Sequence, residues 1–98
     1  MSDPSDPDVV RNDERSRYEL LIDGEVRGLA DVRVLPDGRV GFPHTEVDHR
    51  LRERGYGSLL VARALDDVRA RGERAVAQCS FVRQFEREHP EYADVFGS

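Results

Sequence analysis

The sequence predicts an α+β domain: an antiparallel three-stranded meander, then a helix, a strand parallel to the third, and a C-terminal helix. Three observations carry this. Apolar residues alternate along three short runs joined by turn-forming residues, as half-buried strands require. A run at helical spacing, Ser58 to Arg71, then separates the third strand from a fourth, and strand–helix–strand connections make parallel pairs. Between the third strand and that helix lies Asp48-His49-Arg50-Leu51-Arg52-Glu53-Arg54-Gly55-Tyr56-Gly57-Ser58, with three arginines, two glycines and no acid in the first helical turn.

Residues 1–14 are polar, acidic and Pro-containing, and they read as a disordered arm with nothing to bury. Residues 15–98 form the one domain that 98 residues allow. Arg17 to Ile22 is the first strand, with Tyr18, Leu20 and Ile22 on one face. Asp23-Gly24 is a hairpin turn. Glu25 to Val34 returns as the second strand, with Ala30, Val32 and Val34 alternating and Gly28 marking a candidate bulge. Pro36-Asp37-Gly38 turns again. Arg39 to Val47 is the third strand, broken, bulged or at an edge where Pro43 cannot donate to a ladder.

In the helix from Ser58 to Arg71, Leu60, Val61, Ala64, Leu65 and Val68 form the buried face, and Gly72 stands at the C′ position. Glu73 to Cys79 is the fourth strand. Ser80 is placed to cap a second helix, Phe81 to about Glu88, which ends before Pro90. Residues 90–96 add a final short turn.

The formal net charge is −5 and 36% of residues are charged. That argues against non-specific nucleic-acid binding. No apolar run approaches the ~20 residues that span a bilayer, and no secretory h-region follows the N-terminus. One cysteine cannot form an internal disulfide, so a reducing cytoplasm is the default expectation. All 15 basic residues are arginine. A codon-composition bias explains that most simply.

The turn before the long helix has the features of an anion site: helix N-terminal amides lack intrahelical partners, and the dipole adds about half a positive charge. Its Arg52-Glu53-Arg54-Gly55-Tyr56-Gly57 fits the pattern Arg/Gln-x-x-Gly-x-Gly/Ala. With His44-Thr45-Glu46-Val47 before it, and Gln78-Cys79-Ser80-Phe81-Val82 and His89-Pro90-Glu91-Tyr92 after it, it resembles the GNAT superfamily of N-acetyltransferases. The resemblance, over roughly residues 17 to 96, is to the very small single-domain subfamily often called YjdJ-like. It implies a GNAT-like fold, acetyl-CoA as cosubstrate and an amine acceptor of unidentified kind, with no nucleic-acid or membrane partner, no metal, and a monomer or weak homodimer.

It also implies site roles. The pyrophosphate would sit on the amides of Arg54, Gly55, Tyr56, Gly57, Ser58 and Leu59, helped by Arg52 and Arg54, with Arg50 a surface charge. The pantetheine would pair with backbone near Glu46 and Val47 between the splayed third and fourth strands. His44, Cys79 and Glu46 are the catalytic candidates: a base on the third strand, a thiol across the splay, and a carboxylate acting through water. The bland alternatives for His44 and Cys79 are a structural histidine and a small buried apolar thiol. His89, Pro90 and Tyr92 would close the cofactor side, and His49 would face solvent.

Two departures stand out. Asp23-Gly24 leaves no room for the two helices that fuller GNAT proteins use to wall the acceptor site. Ala77 stands where many subfamily members have proline. The reaction implied is direct attack of the amine on the thioester. The competing reading is a non-catalytic acyl-CoA-binding module, and a third is an interaction domain with a fortuitous phosphate loop.

Overall fold

The computed structural model describes residues 6–97. The meander forms where the alternation places it. Strand β2 (Arg17–Ile22) returns as β3 (Glu25–Val34) through Asp23 and Gly24, both at positive φ (54° and 79°). That is the backbone twist a two-residue hairpin needs. Strand β4 (Val40–Val47) begins one residue later than expected, because Arg39 closes the turn by accepting a 2.8 Å bond from the Leu35 amide.

Both irregularities fall beside the residues that signal them. The β2–β3 register shifts between Leu20 and Leu21, next to Gly28. A Cβ on Gly28 would lie 3.1 Å from Glu46 O and Val47 Cγ2. The β3–β4 register shifts opposite Pro43, between Asp31 and Arg33.

The disordered-arm reading requires correction. Asp8–Asn12 form strand β1, paired antiparallel with β2 along its length. Val9 packs against the core, and Arg11 lies 5.8 Å over the Tyr18 ring while donating to Glu73 at 2.8 Å. An edge strand gains most of its order from the neighbouring backbone, so one inward valine suffices where the composition looks unable to fold. Residues 1–5 of the arm lie outside the described residues.

After β4 the chain makes a single turn of helix, α1 (His49–Arg52), capped by Asp48, whose carboxylate accepts from the Arg50 amide at 3.0 Å. Helix α2 (Tyr56–Ala70) starts two residues before the expected Ser58 and buries the expected face: Leu60, Val61, Ala64, Leu65 and Val68. It ends in a Schellman arrangement: Gly72, at φ 71°, donates to Arg69 O and Glu73 donates to Val68 O.

Strand β5 (Ala75–Ala77) is parallel to β4, as the crossover requires, but shorter than Glu73 to Cys79. Helix α3 (Ser80–Glu88) follows. Ser80 is its first residue rather than its cap. Cys79 holds the cap position, in extended conformation and without a side-chain cap bond. The chain closes with a 3₁₀ turn, Pro90–Tyr92.

The five strands lie in the order β1-β2-β3-β4-β5. Tyr18, Leu20, Ala30, Val40 and Phe42 meet the buried side chains of α2, together with Val82 and Phe85 of α3 and Val95. All helical burial is therefore on one face. On the other face, cross-strand register places Asn12, Arg17, Asp31 and His44 in one row, and Val10, Glu19, Leu29 and Glu46 in the next. Among the described residues, no helix covers that face, and none is long and apolar enough to cross a membrane.

The Tyr18 hydroxyl ties sheet to helix by donating to Asp67 at 2.6 Å, and Arg71 holds the same carboxylate at 2.7 Å. Burial pushes the Asp67 carboxyl up. The bonds from Tyr18 and Arg71, with the Arg71 and Arg11 charges, outweigh it and hold the group below its ordinary value of 3.8. A depressed carboxylate stabilises the fold above its unfolded pKa and loses that contribution as pH falls through the folded value. Thermal melts should therefore weaken below about pH 4. Asp67→Asn should flatten the acid limb without abolishing it, because Glu19, Asp37 and Asp94 are depressed as well. An unchanged acid limb in the variant would show that the linkage lies elsewhere.

Candidate active site

The C-terminal half of β4 organises the site. Pro43 has no amide to donate, and β4–β5 pairing stops at Phe42–Ala77, with one further bond from the Gln78 amide to Phe42 O at 3.2 Å. From His44 to Val47 the β5-side edge of β4 has no strand partner among the described residues. Along this stretch side chains alternate. Thr45 and Val47 lie opposite Ala30 and Gly28 on the helix side, and His44 and Glu46 lie opposite Asp31 and Leu29 on the helix-free side.

On the helix-free side, His44 Nε2 and Glu46 Oε1 are 3.1 Å apart. On the helix side, Thr45 Oγ1 and Cys79 Sγ are 3.6 Å apart, bridging the strand to the start of α3. A cavity of about 280 Å³ occupies this gap, lined by His44, Thr45, Val47, Arg52, Cys79, Ser80, Phe81 and Gln84. A larger cavity of about 560 Å³ abuts it and shares Thr45, Val47 and Arg52. Its lining also includes Glu46, Asp48, Arg27 and Leu29. The two catalytic candidates His44 and Cys79 thus line one cavity, and Glu46 joins them through its contact with His44.

The glycine turn lies at the other end. Gly55 takes φ 83°, the left-handed conformation that reverses the chain into α2, and a Cβ there would meet nothing within 4 Å. The amides of Arg54, Gly55 and Leu59 already donate to Leu51 O, Arg52 O and Gly55 O. This narrows the expected cradle to Tyr56, Gly57 and Ser58, the first residues of α2, whose amides a helix leaves without internal partners. Gly57 is buried, and a Cβ on it would come 2.8 Å from Phe81 Cζ. Its lack of a side chain lets α3 pack across the start of α2.

The guanidinium groups of Arg50, Arg52 and Arg54 have no ion-pair partner among the described residues. Arg52 alone of the three lines the cavities. Glu53 is engaged with His49 at 3.2 Å, and His49 is solvent-facing as expected.

The C-terminal element requires a correction. His89 stacks on Phe85 at 4.1 Å, Tyr92 donates to Asp66 at 3.0 Å, and Arg69 lies 5.0 Å over the Tyr92 ring while holding Asp94 at 2.8 Å. Tyr92 and Asp94 fasten the chain end to α2, His89 packs on α3, and none of the three lines either cavity. Thr45, Ser80, Phe81 and Gln84 are wall residues that the sequence reading gave no role in the site. The available signal was helical spacing: residues 80, 81 and 84 share one face of a helix that starts beside Cys79.

A family model for GCN5-related N-acetyltransferases matches residues 17–95. No curated protein matches the chain.

Proposed function

The chain belongs to the GCN5-related N-acetyltransferase family, and from that premise we propose that it transfers acetyl from acetyl-CoA to a primary amine by direct attack on the thioester. The observation that supports the reading is a single cavity with His44 and Cys79 in its wall and Arg52 beside the open amides of α2. One end suits an acyl group and the other a pyrophosphate.

In this reading the amides of Tyr56, Gly57 and Ser58 hold the pyrophosphate, with Arg52 and Arg54 adding charge. The pantetheine amides pair with the open edge of β4 near Val47, as an added strand would. The amine nitrogen attacks the thioester carbon, the N–C bond forms and the C–S bond breaks. His44 takes the ammonium proton before the attack, with Glu46 beside its imidazole, and the nitrogen releases its second proton to solvent as the amide forms. The departing CoA thiolate takes a proton from the Cys79 thiol, which solvent restores.

Calorimetric titration with acetyl-CoA, CoA and dephospho-CoA tests the anchor. Arg52→Ala should weaken CoA binding by about tenfold to a hundredfold, the range of one charge-assisted hydrogen bond. Dephospho-CoA should show a similar Arg52 dependence if that residue serves the pyrophosphate and not the 3′-phosphate. Failure of all three ligands to bind the native chain would overturn the reading.

A further inference from the structure

We infer that Thr45 is a positioning residue of the transfer reaction. Its hydroxyl donates to the Cys79 sulfur, aims the thiol proton into the cavity, and steadies the sulfur once that proton has passed to the CoA thiolate. This deepens the acetyl-transfer reading and rests on it. Three observations carry it.

The first is the contact. Thr45 Oγ1 and Cys79 Sγ are 3.6 Å apart across the gap between β4 and the start of α3. Among the described residues, no other side chain is hydrogen-bonded to that sulfur. Cys79 stands at the cap position of α3 and makes no side-chain cap bond, so its thiol is not spent on the helix amides.

The second is the residue type. Thr45 belongs to the helix-side row of β4, opposite the buried Ala30. Val40 and Phe42 of that row are fully buried, and Val47 packs on the core. Valine, which has the same branching as threonine, stands only two residues on. What threonine adds is one hydroxyl, and a half-buried hydroxyl on an apolar row costs free energy unless it is bonded. The branched Cβ also restricts χ1, so strand geometry holds the bond.

The third is position. Thr45 lines both cavities, whereas Cys79 lines the smaller alone. The hydroxyl therefore stands between the thiol and the larger space.

The chemistry follows from how sulfur accepts hydrogen bonds. A neutral thiol is a weak acceptor, and an ionised partner makes the bond roughly twice as strong. As the thioester C–S bond breaks, the Cys79 S–H bond breaks and an S–H bond forms on CoA, leaving the charge on Cys79. The bond from Thr45 strengthens at that moment, so it favours the transition state over the ground state. The thiolate then takes the hydroxyl proton of Thr45 as the hydroxyl takes one from solvent. The proton that His44 sheds to solvent balances the exchange.

The test compares single-turnover rates and acetyl-CoA calorimetry for the native chain, Thr45→Val, Thr45→Ser, Cys79→Ala and the double variant Thr45→Val/Cys79→Ala. The amine probe is whichever of a linear diamine, free lysine and an arginine-flanked lysine peptide the native chain acetylates fastest. Thr45→Val should slow transfer about threefold to tenfold, the range of one net hydrogen bond, with acetyl-CoA affinity unaltered. Thr45→Ser, which keeps the hydroxyl, should restore the native rate. In the Cys79→Ala background, adding Thr45→Val should change nothing, because the hydroxyl acts through the sulfur. A native rate in Thr45→Val overturns the inference, as does a further slowing of Cys79→Ala by Thr45→Val. So does lost acetyl-CoA affinity in Thr45→Val, which would make Thr45 a wall of the cofactor site and nothing more. In each of these cases direct transfer still stands. An acetyl adduct on Cys79 by intact mass, or acetyl-CoA binding with no probe acetylated, overturns direct transfer and the inference with it.

Discussion

Substituting His44 with glutamine should lower kcat for acetyl transfer by about 10²- to 10⁴-fold, the usual contribution of a general base, with acetyl-CoA affinity little changed. His44 lines the cavity of about 280 Å³, and its Nε2 lies 3.1 Å from Glu46 Oε1. Glutamine keeps the size and a polar tip but cannot accept the ammonium proton. Glu46→Gln should cost less, because it leaves the base in place and loosens only its orientation.

Cys79→Ala separates two chemistries within the same experiment. If the thiol only protonates the leaving group, kcat falls modestly, because water can substitute, and no acetyl adduct forms on the native protein. If acetyl passes through sulfur, an adduct of one acetyl group accumulates without acceptor and disappears in Cys79→Ala. Intact-mass measurement reads this directly, because a chain without lysine has no ε-amine to acquire acetyl adventitiously. A His44→Gln enzyme with near-native kcat would remove His44 from the mechanism.

The second large effect is expected at Gly57→Glu, which should reduce CoA affinity by about a hundredfold, near 2.7 kcal/mol. The new carboxylate would stand among the three amides that lack helical partners, competing with the phosphate for them. Its Cβ would also drive Phe81, 2.8 Å away at Cζ, from its place in the cavity wall. The fold should tolerate the change better than the ligand does. A carboxylate near a helix N-terminus stabilises by about 0.3–1 kcal/mol, and replacing an in-helix glycine recovers up to about 1 kcal/mol. Overpacking against Phe81 opposes both by about 1–3 kcal/mol. Gly57→Ala serves as the steric control, with Phe81 displaced and no charge added. Calorimetry and thermal melts on both variants check this, and CoA affinity near native in Gly57→Glu would place the pyrophosphate elsewhere.

Much of this architecture was legible because its signals are local. The bounds of β2 and β3 follow from period-2 alternation and an Asp-Gly pair that reverses a chain in two residues. The buried face of α2 follows from Leu60, Ala64, Leu65 and Val68 at helical spacing. Gly28 and Pro43 announced irregularities that the register then shows. What was not legible depends on distant partners. Strand β1 needs the backbone of β2 and the Tyr18 ring to make its few apolar residues sufficient. The narrowing of the anion cradle needs the knowledge that Arg54, Gly55 and Leu59 spend their amides inside the turn. The role of Gly57 needs Phe81, 24 positions away, and the role of Tyr92 needs Asp66 and Arg69. The family match begins at residue 17 and so contains no signal for β1.

That first strand matters for colloidal behaviour. Without it, β2 would be the edge of the sheet, and its Tyr-Glu-Leu-Leu-Ile run would offer unpaired amides and carbonyls beside apolar side chains, a template for self-association in cross-β form. Strand β1 covers that template with a shorter edge carrying Asp8, Arg11 and Asn12, behind Pro7. At the opposite margin, the Ala75 amide of β5 donates to Val95 O at 2.8 Å, so the returning chain end covers that edge. Strand β1 and the segment at Val95 thus act as gatekeepers for the sheet they flank.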